Sequence, residues 1–310
     1  MKIAFVFPGQ GSQSVGMMKS FAQLPGLRET FTEASDAIGQ DLWKLVEEGP
    51  ADELNLTVNT QPVMLAAGVA LYRAWIADNG NRPVIAAGHS LGEYSALVAG
   101  GAIDFADTVD LVRFRAQAMQ EAVPAGVGAM AAILGLEDEV VRATCKEASD
   151  KDGIAEAANF NSPAQVVIAG NRAAVERATE IAKGKGAKRA IMLPMSVPSH
   201  CSLMRPAAER LRERLKSANI GPSSIPVLHN ADVSNADSAD AVRDALVRQL
   251  YQPVRWVDTI RAILFVGVTH IVECGPGRVL AGLNKRIAPE AQAFSFGDEP
   301  AFKQTLAALK

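Results

Sequence analysis

Cysteine is scarce in this chain: Cys145, Cys201 and Cys274 are its only three in 310 residues, far apart and without C-x-x-C spacing. That excludes a disulfide framework, and an odd count suits a reducing compartment. There are only four histidines, and no pair has the spacing of metal ligands, so a zinc site is not expected. No apolar run approaches the roughly 20 residues that a membrane-spanning helix needs. Residues 1–7 enter a strand pattern at once, which is not the profile of a signal peptide. Nor is there charge of one sign: 31 Lys and Arg against 34 Asp and Glu leave a net charge of −3. Such a balance carries no footprint for nucleic acid or for a membrane surface. Repeats and low-complexity tracts are missing too. These absences lead to the expectation of a cytoplasmic protein with no nucleic-acid or membrane partner, no metal and no permanently bound cofactor.

Hydrophobic residues make up 48% of the chain, enough to bury a large core in one large or two unequal domains. Short apolar runs at Ile3–Phe7, Val84–Ala87, Val227–His229, Ile271–Glu273 and Ala293–Ser295 read as strands. Helical patterns at Val63–Ala77, Thr108–Glu121 and Ala239–Leu250 lie between them, an alternation that predicts an α/β fold with a largely parallel sheet. The middle of the chain differs. Strand patterns at Ala129–Leu134, Ile154–Phe160, Gln165–Ala169 and Lys188–Leu193 are interleaved with helices at Glu137–Glu147 and Arg172–Lys183. That order is β-α-β-β-α-β, with Asn161-Ser162-Pro163 as the central turn, and it predicts a ferredoxin-like unit. The expected division is a small domain over 125–197, inserted into a discontinuous large domain of 1–124 and 198–310.

Gly88-His89-Ser90-Leu91-Gly92 follows the second apolar run and opens a helical pattern over Glu93–Ala99. A G-x-S-x-G sequence between strand and helix is a nucleophile elbow, whose glycines let the two elements meet at a sharp angle. The turn exposes the Ser90 hydroxyl beside the positive end of a helix, as acyl transfer requires. Ser90-x-x-Glu93 also reads as a capping box, in which the serine only closes the helix. A nucleophilic serine needs a base. His89 adjoins Ser90 and would project away from it, which suits a turn or packing role. His229 and His270 flank strand patterns and suit structural roles. His200 stands in the proline-stiffened run Pro194–His200, directly after the small domain, where clefts form. It is the candidate base, and a plain position ahead of a helix over Ser202–Ser217 is the alternative. Cys201 beside it reads as a packing residue.

Phe7-Pro8-Gly9-Gln10-Gly11-Ser12-Gln13, Gly88–Glu93 and Pro194–His200 closely resemble the malonyl-coenzyme A:acyl carrier protein transacylases. Arg113–Gln120, Arg248–Val254 and Glu273–Gly277 extend the resemblance in order along the whole chain. It is nearest to the free-standing enzymes of bacterial fatty acid synthesis. The resemblance implies an α/β-hydrolase-like large domain with a ferredoxin-like insert. It implies Ser90 as the acyl-carrying nucleophile and His200 as its base, with the backbone N–H groups of Gln10 and Leu91 as the oxyanion hole. Arg115 matches the arginine that holds the free carboxylate of malonate, and Gln249 a residue whose main chain orients the histidine. Malonyl-CoA and acyl carrier protein are the implied substrate and partner. Cys274 stands where the family has an aliphatic residue, in a loop expected to be remote from the chemistry.

Arg115 also has a physical case of its own. A guanidinium offers carboxylate a planar pair of donors, and left unpaired it disfavours an uncharged acyl group. On its helix it falls beside Leu111 and Val112 and one turn before Met119, which suggests a cleft-facing charge, whereas Arg113 points elsewhere and reads as solvated. Lys183, Lys185, Lys188 and Arg189 form a basic cluster, either a docking patch for an acidic carrier or a solvated turn. Three function classes stay in view: acyl transfer from a coenzyme A thioester, a serine esterase on the same elbow, and a non-catalytic docking module. The 110 residues after His200 and the lack of an evident triad acid speak against the esterase.

Overall fold

The structure is a computed structural model that describes residues 1–194 and 197–310. Among these, nine strands follow one another: β1 (Ile3–Phe7), β2 (Ile85–Gly88), β3 (Gly128–Leu134), β4 (Ala155–Ser162), β5 (Gln165–Asn171), β6 (Arg189–Met192), β7 (Val227–Leu228), β8 (His270–Glu273) and β9 (Gln292–Ser295). Two sheets form from them. The larger has the order β7-β2-β1-β8-β9, with every pair parallel. The chain winds outward from β1 first in one direction and then in the other, so the order reverses between β1 and β8. In open parallel sheets, ligands bind beyond the carboxyl ends of strands at such a reversal.

Side-chain alternation in β1 explains how both sheet faces are buried. Ile3, Phe5 and Phe7 face the helix Thr57–Ala77, where Phe5 meets Trp75 edge-on at 5.4 Å between ring centroids. Ala4 and Val6 face the opposite layer, built from Trp256, Ile260, Ile263, Leu280 and Leu283. Helix Thr57–Ala77 starts six residues earlier than the apolar pattern suggests. Its first turns hold Thr57, Asn59, Thr60 and Gln61, which are polar yet buried. They escape hydrophobic periodicity because hydrogen bonds, not apolar contact, hold them inside.

The second sheet is antiparallel, in the order β4-β5-β3-β6, the expected ferredoxin-like arrangement. Helices Asp138–Ala148 and Arg172–Gly184 cover one face around a separate core of Val141, Cys145, Val166, Ile168, Val175 and Ala178. β4 runs through Ser162, past the expected turn at Asn161, and carries register shifts between Ala157 and Asn159 and between Phe160 and Ser162. The reversal falls instead at Pro163-Ala164, where Ala164 adopts a φ of 58°. This strand also pairs with Val254, in the segment between helices Ala239–Tyr251 and Trp256–Phe265: Phe160 N–H donates to Val254 O, and Val254 N–H to Ala158 O, both at 2.9 Å. The expected helix over Ser202–Ser217 is divided into a short turn at Ser202–Met204 and a helix Arg205–Leu215, with Pro206 in the first helical turn, where proline is tolerated.

β2 ends at Gly88, and helix Gly92–Ala99 begins four residues later. A Cβ on Gly88 would lie 1.8 Å from the Gly92 carbonyl carbon, and one on Gly92 would lie 2.0 Å from the Phe7 oxygen. Strand, turn and helix pack closely only because both positions lack a side chain. Gly92→Ala is therefore expected to lower unfolding free energy by about 3 kcal/mol, the upper range for overpacking. Gly282→Ala, where a Cβ meets nothing within 4 Å, should raise it by up to about 1 kcal/mol. Equal effects of the two variants in urea denaturation would contradict this account of the elbow.

Candidate active site

Ser90 sits at the tip of the elbow with a φ of 50°, a left-handed conformation that non-glycine residues rarely adopt. Strain of this kind costs about 1–3 kcal/mol and persists only where surrounding contacts impose it. Here Asn230 does so. Its Oδ1 accepts the Ser90 N–H at 2.7 Å, and its Nδ2 donates to Gly88 O at 2.6 Å. The capping alternative does not hold: the Glu93 carboxylate bonds to His229, Asn230 and Gln249 and not to the Ser90 N–H, and the Ser90 hydroxyl points to other partners.

Those partners are a histidine and an arginine. His200 Nε2 lies 2.8 Å from Ser90 Oγ, and Arg115 Nη2 lies 3.3 Å from the same oxygen. His200 is held from the end of helix Ala239–Tyr251: its Nδ1 is 2.7 Å from Gln249 O, and its backbone N–H donates to Leu250 O at 3.0 Å. A carbonyl facing Nδ1 requires the proton there, which leaves the Nε2 lone pair for the serine. Burial pushes the His200 pKa down to about 3, with the Arg115 guanidinium adding to the depression and the Gln249 carbonyl opposing it. The imidazole is thus neutral and able to accept a proton at physiological pH. Of the run Pro194–His200 expected to hold it, Met195 and Ser196 lie outside the described residues.

Arg115 is 1% exposed, on helix Phe105–Ala122. Its Nη1 donates to Gln61 Oε1 at 2.7 Å and its Nη2 to Gln249 Oε1 at 2.9 Å. Among the described residues its Nε meets no acceptor and the guanidinium touches no carboxylate. Gln61 reaches further, its Nε2 donating to Thr57 Oγ1 at 3.0 Å, and Thr57 Oγ1 donates in turn to Gln10 Oε1 at 3.1 Å. The loop after β1 is thereby linked to the arginine. The same loop lies against the elbow, since a Cβ at Gly9 would be 2.5 Å from His89 O and 3.6 Å from Leu91 N. Among the described residues the N–H groups of Gln10 and Leu91 have no acceptor, so both are available to a ligand.

The structure thus gathers Ser90, His200, Arg115, Gln249, Gln10 and Leu91 at the carboxyl ends of β1 and β2. Gln61, Thr57 and Asn230 belong with them and were not anticipated. The only sequence signal for the first two is a polar opening to a helix that is otherwise apolar. His89 packs on Trp256 at 5.5 Å and its Nε2 meets Asn161 Oδ1 at 2.8 Å, which ties the insert to the elbow. Cys201 is buried against Met130, Ala158 and Val167, and burial raises its thiol to about 12, so it packs and does not react. Arg113 departs from expectation: it is half-buried and donates to Gln40 Oε1. The Cys274 loop departs as well. It is not remote, because a Cβ at Gly275 would lie 2.4 Å from Pro8 in the loop that carries Gln10. In the basic cluster, Lys183 pairs with Glu180 at 2.7 Å and Lys185 with Glu147 at 2.6 Å, which neutralises half of it. No helix among the described residues is long and apolar enough to cross a membrane.

Residues 4–291 match the acyl transferase domain family. The chain belongs to that family. It is 53% identical over 306 residues to the malonyl CoA-acyl carrier protein transacylase of Escherichia coli K12, covering 98% of this chain and 99% of that protein. Identity to the transacylase of the same name from Bacillus subtilis 168 is 43%, over 100% of this chain and 98% of that one. Among solved structures, the acyl-carrier-protein S-malonyltransferase of Burkholderia pseudomallei superposes with a TM-score of 0.97 at 59% identity, covering 99% and 100% of the two chains. A malonyl-transacylase in complex with a type II polyketide-synthase acyl-carrier protein superposes at 0.98 with 50% identity, over 99% and 100%.

A neutral, buried His200 has a consequence for reactivity. A serine-directed phosphonofluoridate should label Ser90 at a rate that stays level from about pH 8 down to about pH 5, because His200 Nε2 loses its lone pair only well below that range. A half-maximal rate near the ordinary histidine value of 6.5 would contradict it.

Proposed function

We propose that this chain transfers a malonyl group from malonyl-CoA to the phosphopantetheine thiol of acyl carrier protein, through a malonyl ester on Ser90, and so supplies fatty acid synthesis. The observation that carries the reading is Arg115, a buried guanidinium within reach of the nucleophile and, among the described residues, without a carboxylate of its own. An esterase for uncharged acyl groups has no use for such a charge, whereas a malonyl thioester brings the missing carboxylate.

The distances among Ser90, His200 and Gln249 support the following mechanism. His200 Nε2 takes the Ser90 proton as Oγ attacks the thioester carbonyl. Negative charge passes to the carbonyl oxygen, which the N–H groups of Gln10 and Leu91 receive as the oxyanion hole. Collapse breaks the carbon–sulfur bond, and the departing coenzyme A thiolate takes the proton back from His200. In the second half, the carrier's thiol gives its proton to His200 and attacks the malonyl-serine ester, and Ser90 leaves with that proton. Gln249 orients the base through its main-chain oxygen, in the position where a triad would hold an acid. The reaction needs no permanently bound cofactor.

Residues 1–124 and 198–310 are read as the catalytic domain and 125–197 as the small domain, supported by their separate sheets and cores. A cytoplasmic site of action agrees with three free, buried cysteines.

Intact-mass analysis after mixing with malonyl-CoA should show one malonyl adduct, mapping to Ser90 and missing from Ser90→Ala. Release of free malonate without transfer to a carrier would favour hydrolysis, and no change at all would favour a docking role. His200→Ala should slow acylation by about 10⁴-fold. Arg115→Ala should cost malonyl transfer on the order of 2–4 kcal/mol while improving the relative rate with acetyl-CoA. Equal losses of kcat/KM for both thioesters would remove Arg115 from the role of carboxylate holder.

A further inference from the structure

Glu93, directly after the elbow, has no task in the chemistry above, yet its carboxylate is completely buried. Removing a carboxylate from water is costly unless every oxygen finds a donor. Oε1 lies 2.7 Å from His229 Nδ1. Oε2 accepts both the Asn230 N–H and Gln249 Nε2, each at 2.9 Å. Burial opposes a proton on His229, but the charge and hydrogen bond of Glu93, together with the charge of Asp232, outweigh it and raise that pKa. Both carboxylate oxygens of Glu93 thus have local donors, Oε1 in His229 and Oε2 in Asn230 and Gln249.

The Gln249 amide turns this anchor toward the reaction. Its Nε2 donates to Glu93 Oε2 and to Ser90 O, both at 2.9 Å, while its Oε1 accepts from Arg115 Nη2 at 2.9 Å. An amide has nearly the same shape when flipped, so shape alone does not decide which end faces the guanidinium. Acceptors at Glu93 and Ser90 decide it, because only the NH₂ end can satisfy them. Flipped, the amide would set donor against donor and push Arg115 from Ser90. A carboxylate placed directly on Arg115 would hold it too, but it would also neutralise the charge meant for substrate. An oriented amide aims the guanidinium and leaves its charge available.

We propose that Glu93 is a positioning residue that determines acyl specificity: acting through the Gln249 side chain, it holds Arg115 beside Ser90 and so favours acyl groups that carry a carboxylate. The proposal rests on Arg115 as the carboxylate-binding residue. It assigns the Gln249 side chain a role separate from that of its main-chain oxygen. It also gives the fourth residue of the Ser90-x-x-Glu93 pattern a function other than capping.

The test is the ratio of kcat/KM for malonyl-CoA to that for acetyl-CoA. Glu93→Met, similar in size but without an acceptor, should lower this ratio by about tenfold, a size typical of residues coupled in one hydrogen-bond network. In an Arg115→Ala background the same change should leave the ratio as it finds it. Glu93→Gln should keep most of the ratio, since its oxygen can still accept from Gln249 and Asn230 while its NH₂ turns to a neutral His229. Gln249→Met, which keeps the main-chain oxygen facing His200, should reproduce the Glu93→Met effect and serves as the test if that variant does not fold. Equal losses for both thioesters in either methionine variant would overturn the proposal and leave Glu93 a purely structural residue. If Arg115→Ala itself does not change the ratio, the carboxylate reading fails and this proposal with it. If Arg115→Ala changes the ratio but neither methionine variant does, the proposal alone fails.

Discussion

A guanidinium almost sealed from water, with no carboxylate in contact among the described residues, is the constraint around which the rest of this site is arranged. Such a charge is tolerable only if neutral dipoles hold it and something charged arrives to answer it. Gln61 and Gln249 supply the dipoles from helices far apart in the chain. The elbow brings Ser90 under the guanidinium, and the loop after β1 closes the far side. The same charge lowers the basicity of His200, so His200 and Arg115 are electrostatically coupled as well as adjacent.

Hydrogen bonds join these parts into a continuous path. It runs from Gln10 through Thr57 and Gln61 to Arg115, then through Gln249 to Glu93, Asn230 and the strained Ser90 backbone. A path of this kind explains why polar residues open an otherwise apolar helix, and why a carboxylate and an imidazole are buried together below the elbow. It also accounts for the positive φ at Ser90: Asn230 pins the turn from below, and the glycine contacts on either side leave no space for it to relax. Members of such networks act together, so their contributions are not additive.

Much of this was legible in the chain because local rules applied. Period-2 and period-3.6 patterns located most strands and helices, and the β-α-β-β-α-β order gave the insert's topology. The G-x-S-x-G turn marked Ser90, and the proline-containing run that ends at His200 marked the histidine that reaches it. Gln10, Leu91 and Gln249 came through family resemblance, since a backbone N–H or carbonyl leaves no mark on residue type. Thr57, Gln61 and Asn230 stayed hidden because their burial depends on partners distant in sequence. Arg113 and the Cys274 loop misled for the same reason, as neither Gln40 nor Pro8 is near them along the chain. Glu93 was visible, but a local capping rule explained it too readily.

The account's central claim is that Arg115 receives the substrate's carboxylate while Gln10 and Leu91 receive its carbonyl oxygen. A crystal structure of the malonyl-Ser90 intermediate tests this most directly. The carboxylate should lie within hydrogen-bonding distance of the Arg115 guanidinium, and the ester carbonyl should lie between the N–H groups of Gln10 and Leu91. A malonyl carboxylate turned to solvent, with Arg115 still on Ser90 and Gln249, would contradict it.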